Sequence, residues 1–282
     1  PYAKKKYIDE AYRPLKDLSV VKNLKIKRNR RPKDLFNYLY KAWNYHRFDN
    51  ISGAVQLFAE RLTTELFNQI YAKTKISRFV LSGGIALNIK MNQELSKLKF
   101  VKEFFVCGSG GDESLAIGGN YYLNRDSISK PNKTINNMCL GEDINKDIKN
   151  FYVNKNKYYD TKVIKNPKTI AKIISENKIV AVANNRSEFG VRALGNRSIL
   201  ANPSNIDNVK QINKAIKSRD FWMPFALSIL EESHKKFIHN PKNISCPSMS
   251  ITFDTIKENR AKICCGIHPY DFTVRPQFVN KV

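Results

Sequence analysis

The sequence predicts an α/β segment followed by an α+β segment. Three observations carry that reading: two consecutive strand, glycine loop and helix units, a polar stretch without periodicity, and then helices and strands in mixed order. The first unit lies in "RFVLSGGIALNIKMNQEL", where the β-rich Phe79 to Leu81 meets Ser82-Gly83-Gly84 and a helical pattern starts near Ala86. The second is "EFFVCGSGGDESLAIGGNYYL", with the same order of elements. Strand-to-helix loops of this kind place ligands at the loop ends of a sheet.

Upstream of these units the sequence is basic and broken to about Asn44, with "KIKRNRRPKD" at its middle, and reads as a solvated loop. From Asp49, Ile51, Val55, Phe58, Leu62, Leu66 and Ile70 recur at spacings of three and four. That is the apolar stripe of a long core helix opened by Asp49 or Ser52. "NRDSISKPNKTINNM" is polar, carries a proline and reads as a linker. The domains are therefore expected at 1–128 and 140–282, joined by a linker over 129–139. In the second, Pro167 to Asn177 predicts a helix, Ile179 to Ala183 and Ser198 to Ala201 predict strands, and Asp207 to Ile216 predicts another helix. The apolar runs "FALSILEE" and "SMSITF" follow.

Forty-nine Lys and Arg against 25 Asp and Glu set a formal charge of +24. The lysines are dispersed along the whole length rather than gathered into one stripe, so the charge reads as a solvated surface and not as a specific nucleic-acid face. Cys107, Cys139, Cys246, Cys264 and Cys265 are odd in number and lack paired metal spacing, which argues against a disulfide framework or a zinc ribbon and for a cytoplasmic setting. No apolar run approaches the ~18 residues that span a bilayer, so no membrane partner is expected.

Chemistry-bearing residues gather on the loops. Backbone near Gly83 and Gly84 can approach a phosphate without a side-chain clash, although a tight turn needs the same residues. Asp112, beside Gly108, Ser109, Gly110 and Gly111, could reach a metal, but on its own it reads first as a helix cap. In "SEFGVRALGNRSILANP", Arg192 and Arg197 sit on a glycine-broken loop ahead of a strand. Lys217 and Arg219 in "KSRDFWMPF" and Arg275 in "DFTVRPQ" extend the series. Guanidinium groups present a planar fork of donors that matches phosphate, so several converging arginines make a site for a polyanion.

Five segments in order, "GGIALNIKMN", "GSGGDESLAIGG", "EFGVRALGNRSILANP", "INKAIKSRDFWMPFALSIL" and "DFTVRPQ", resemble landmarks of the O-carbamoyltransferases that decorate nodulation factors and antibiotics. The resemblance covers the chain from about Asp49 onward and implies the second half of an actin-like ATPase domain followed by a YrdC-like domain that is incomplete at its end. It implies that carbamoyl phosphate and ATP form a carbamoyl adenylate in the YrdC-like domain. The actin-like domain then passes the carbamoyl group to a hydroxyl of a small molecule or sugar.

Carried onto this sequence, the resemblance implies that Gly83, Gly84 and Asn88 hold the nucleotide, that Asp112 is a metal ligand, and that Arg192, Arg197, Lys217, Arg219 and Arg275 line the carbamoyl phosphate and ATP site. Arg192, Lys217 and Arg219 are the expected catalytic residues. The metal would be iron, manganese or zinc, with its remaining ligands outside this chain.

The sequence departs from the pattern at Asn184-Asn185, where a glycine-glutamine pair is usual, at Val191 in place of proline, and at Pro269, with His268 one residue from the usual histidine position. The paired metal histidines are missing, and the chain starts at Pro1, so it reads as an inactive piece of a longer enzyme. The alternatives are a non-catalytic nucleotide-binding partner and, less favoured, a nucleic-acid-binding module. Homodimerisation is left open.

Overall fold

A computed structural model describes residues 3–30, 32–127, 138–145, 164, 166–220 and 222–280. It divides into two compact units, Pro1–Leu81 with Asn88–Phe105, and Ser82–Leu87 with Val106–Val282. The secondary structure is mixed α/β. Among the described residues the strands pair in five two-stranded sheets rather than one continuous sheet.

The first unit opens with helix α1 (Lys5–Tyr12) and a hairpin of β1 (Ser19–Lys22) and β2 (Lys25–Arg28). Helices α2 (Leu35–Trp43) and α3 (Phe48–Thr74) follow. The basic opening is thus not a loop. Asn23 and Leu24 take φ of 54° and 60°, the positive values that a two-residue hairpin turn requires. Asp34 caps α2 by accepting from the Asn37 amide at 3.0 Å. Local turn chemistry therefore overrides the polar composition.

Helix α3 forms where the periodicity places it, but the stripe read as core is only half-buried, and Val55 is 47% exposed. The buried positions are instead Asp49, Asn50, Gly53, Ala54, Thr63 and Phe67. The reason is α1, which packs on α3 so closely that a Cβ at Gly53 would lie 2.9 Å from the Ile8 side chain. Ala11, Tyr12, Leu15, Leu18 and Ala54 form the core there, with Trp43 donating its indole N–H to the Ala11 carbonyl at 2.9 Å. At the far end of α3, Phe67 stacks on Phe79 of β3 (Arg78–Leu81), with ring centroids 4.6 Å apart. Asn88 caps α4 (Ile89–Lys97), and β4 (Glu103–Val106) pairs with β3.

The second unit holds both glycine loops, helix α5 (Ser114–Leu123) and everything after it. Apart from Met138 and Cys139, the expected linker lies outside the described residues. Pro167 opens the helix Pro167–Ser175 at its first turn, where proline loses no hydrogen bond. Strands β5 (Val180–Ala183) and β6 (Arg197–Leu200) pair antiparallel, Ala183 opposite Arg197. The helix predicted over 207–216 divides into an α-helical part, Asp207–Ile212, and a π-helical turn, Asn213–Lys217. Strand β7 (Leu227–Leu230) alternates buried and exposed and lies parallel to β10 (Pro276–Val279), while β8 (Phe253–Asp254) pairs with β9 (Thr273–Val274). Leu227, Ile229, Cys246, Ile251, Phe253, Val274 and Phe278 are buried in this unit.

Candidate functional site: an arginine cluster on three loops

Three chain segments of the second unit bring their arginines together. Arg192 rides on the arc between β5 and β6, Arg219 follows the π-helical turn, and Arg275 stands between β9 and β10. The arc is a tight one, because Gly190 and Gly195 take φ of 108° and 118°, conformations that side chains resist. The π-helical turn closes with the Ser218 amide donating to the Asn213 carbonyl at 2.9 Å, and Ser218 takes a positive φ that turns the chain toward Arg219. Extra-residue turns of this type recur at functional sites.

Arg192 and Arg219 both lie within Coulombic reach of Arg275. Burial, together with the neighbouring Arg192 and Arg219 guanidiniums, pushes Arg275 down to about 10. Burial also lowers Arg192. Among the described residues no carboxylate is salt-bridged to Arg192, Arg219 or Arg275. Near Arg192 and Arg275 lies Cys246, fully buried, its thiol raised by burial and its sulfur 3.3 Å from the Pro276 carbonyl. Arg219 is steadied by the Phe225 ring, whose centroid is 4.7 Å from the guanidinium carbon, and by the Pro224 carbonyl at 3.3 Å. A half-buried concentration of positive charge without an acidic partner is costly alone and favourable once an anion enters it.

The other expected site residues are distributed differently. Arg197 turns its guanidinium onto the carbonyls of Asn184, Asn196 and Asn185, at 2.7, 2.9 and 3.2 Å, and so fastens the loop instead of adding to the field at Arg275. Lys217 is exposed. Gly83 has φ of 96°, and a Cβ at Gly83 or Gly84 would meet only open space. Asn88 belongs to the first unit, where its side chain accepts from the Met91 amide at 3.0 Å and exchanges hydrogen bonds with the Gln56 amide at 2.9 and 3.1 Å.

The second glycine loop is packed tightly. A Cβ on Gly110 would meet Ala86 at 3.2 Å, one on Gly108 would overlap the Ser248 hydroxyl, and Ser109 is fully buried with its hydroxyl bonded to Glu113. Asp112 is exposed and its side chain does not cap α5. Among the described residues no three His, Cys, Asp or Glu side chains converge as metal ligands, so Asp112 by itself does not fit a metal centre.

Residues 3–121 match the carbamoyltransferase N-terminus family model, and residues 171–282 match the carbamoyltransferase C-terminus model. The chain belongs to the carbamoyltransferase family. It is similar to the uncharacterized Methanocaldococcus jannaschii proteins MJ1058, 30% identical over 83% of this chain and 39% of that protein, and MJ1051, 34% identical over 82% and 44%. Nodulation protein NolNO of Sinorhizobium fredii is 27% identical over 82% of this chain and 35% of its own length. This carbamoyltransferase chain thus spans less than half the length of the relatives it matches. The N-terminal match contains both glycine loops, and the C-terminal match contains Arg192, Arg219 and Arg275.

Sequence reasoning did not find Glu188, Gln277 or Cys246. Glu188 sends its Oε1 to the amides of Leu194, Asn196 and Arg197, Gln277 donates to the Leu194 carbonyl at 2.7 Å, and Cys246 lies near Arg192 and Arg275. Only Glu188 carried a signal, as an acid set inside an arginine- and glycine-rich stretch. The other two come to the site from distant parts of the chain.

Proposed function

We propose that Arg192, Arg219 and Arg275 form the phosphate-binding part of an ATP-dependent O-carbamoyltransferase that uses carbamoyl phosphate, passes through carbamoyl adenylate and delivers the carbamoyl group to a hydroxyl acceptor. The observation that carries this reading is Arg275, half-buried, lowered by burial and by two like-charged neighbours, and without a salt-bridged carboxylate among the described residues. A phosphate or pyrophosphate group supplies the missing charge. Bidentate guanidinium contacts would hold it, and fixed cations would stabilise the negative charge that develops on a leaving pyrophosphate. Lys217, exposed four residues beyond Asn213, would close on a bound phosphate from the solvent side.

The same reading takes the chain as part of an actin-like domain followed by a YrdC-like domain, with the open space beside Gly83 and Gly84 receiving the nucleotide. A transition metal at Asp112 needs histidine ligands that the described residues do not supply.

Titration calorimetry with pyrophosphate and with carbamoyl phosphate tests the anion site. Arg192→Ala should weaken binding by about tenfold or more, as charge-assisted contacts contribute ~1.5–3 kcal/mol. Arg275→Met should also lose affinity yet melt higher without ligand, because it removes a buried like-charge repulsion. Unchanged affinity in both variants would falsify the assignment.

A further inference from the structure

Glu188 is an acid placed in the one loop whose task, on the reading above, is to attract anions. Its charge is nevertheless taken up without cancelling an arginine. A single oxygen, Oε1, accepts the backbone N–H groups of Leu194 at 2.7 Å, Asn196 at 2.8 Å and Arg197 at 3.1 Å. These donors lie on the far side of the arc, six to nine residues along the chain, so the carboxylate closes residues 188–197 into a ring with Arg192 near its middle.

Leu194 is gripped from both sides. Its N–H goes to Glu188, and its carbonyl accepts from the Gln277 side-chain amide at 2.7 Å, two residues beyond Arg275 on β10. The Gly195 amide is held by the Ser198 hydroxyl at 2.9 Å, and the Asn196 side chain by the Arg186 carbonyl at 2.7 Å. The arc carrying Arg192 is thereby tied to the strand that follows Arg275.

We propose that Glu188 is a positioning residue of the anion site, which sets the distance of Arg192 from Arg275 by holding the Leu194, Asn196 and Arg197 amides. The proposal rests on the phosphate-binding reading of the arginine cluster. Carboxylate suits the task because each of its oxygens is an acceptor with two lone pairs, strengthened by charge. The reach of the four-heavy-atom arm matters more than the charge, since only that reach brings one oxygen under all three amides.

Three variants of the full 282-residue chain separate these features. Glu188→Gln keeps the arm and one carbonyl acceptor, Glu188→Asp keeps the charge on a shorter arm, and Glu188→Ala keeps neither. Pyrophosphate affinity, measured by calorimetry and referred to the folded fraction, should fall about threefold or less in the glutamine variant. It should fall about tenfold or more in the aspartate and alanine variants. Hydrogen exchange at the amides of Leu194, Asn196 and Arg197 should accelerate in the same order, with β7 and β10 amides unchanged.

If Glu188→Ala only lowers the melting temperature while its folded fraction binds pyrophosphate like the parent, Glu188 is structural and the proposal is wrong. Should the alanine variant not fold, the other two decide: aspartate binding as well as glutamine overturns the positioning role. A parent chain that does not bind pyrophosphate removes the phosphate-binding reading itself, a different result from a parent that binds and a Glu188→Ala variant that binds equally.

Discussion

Single residues set the electrostatic character of the second unit. At Glu188, burial works against the charged form, but the backbone amides it accepts outweigh burial and hold its carboxyl below the usual carboxylate range. A carboxyl lowered on folding stabilises the protein above its unfolded pKa of about 4.3, and that contribution disappears as pH falls through the folded value. The melting temperature of the parent should therefore drop more steeply below about pH 4 than that of Glu188→Gln, which cannot titrate. Identical acid profiles for the two proteins would mean that the amides do not favour the ionised form. Glu188 itself was visible in the sequence only as a letter beside Phe189 and Gly190. Its partners six to nine residues away depend on how two glycines turn the chain.

At the scale of the element, the arginine arc shows what each glycine contributes. Gly190 and Gly195 both take positive φ, but a Cβ on Gly190 would come within 2.6 Å of the Ser109 hydroxyl, whereas one on Gly195 would meet nothing. Gly195→Ala should cost only the backbone strain, about 1 kcal/mol, and Gly190→Ala about 2–3 kcal/mol, because packing is added to the strain. Urea titrations measure both, and Ser109→Gly in the Gly190→Ala background should return the packing share. Equal costs at the two glycines would refute the close approach of the two loops. The elements themselves were largely legible: α3, the strand before Ser82, the helix at Pro167 and β5 stand within a few residues of where periodicity places them, although α3 starts at Phe48 without the expected cap from Asp49 or Ser52. The hairpin of β1 and β2 was missed because its turn uses Asn23 and Leu24, without glycine or proline to mark it.

Over the whole molecule, charge and metal ligation separate. The formal charge of +24 is spread widely, while the proposed anion site uses three half-buried arginines, Arg192, Arg219 and Arg275. No described helix is long and apolar enough to cross a membrane, and all five cysteines carry free thiols. Because Asp112 is exposed and no three ligating side chains converge among the described residues, the chain should retain no stoichiometric manganese, iron or zinc after dialysis. Elemental analysis checks this, and one equivalent of bound metal that Asp112→Asn abolishes would show that the chain builds the centre unaided.

The sequence by itself determined most element types beyond the basic opening and the two glycine loops, since each depends on local pattern and turn chemistry. It also carried the family, because five ordered motifs survive as strings of letters. Only the tertiary structure decided which face of α3 is buried, which of the arginines share a field, and which is spent on carbonyls. Arg192 and Arg197 are indistinguishable as neighbours on one loop, yet one joins Arg275 and the other fastens the loop. The physical reason is that burial and Coulomb interaction depend on distance through space, and the partners of Arg275 lie 56 and 83 residues away along the chain, counted from positions 219 and 192.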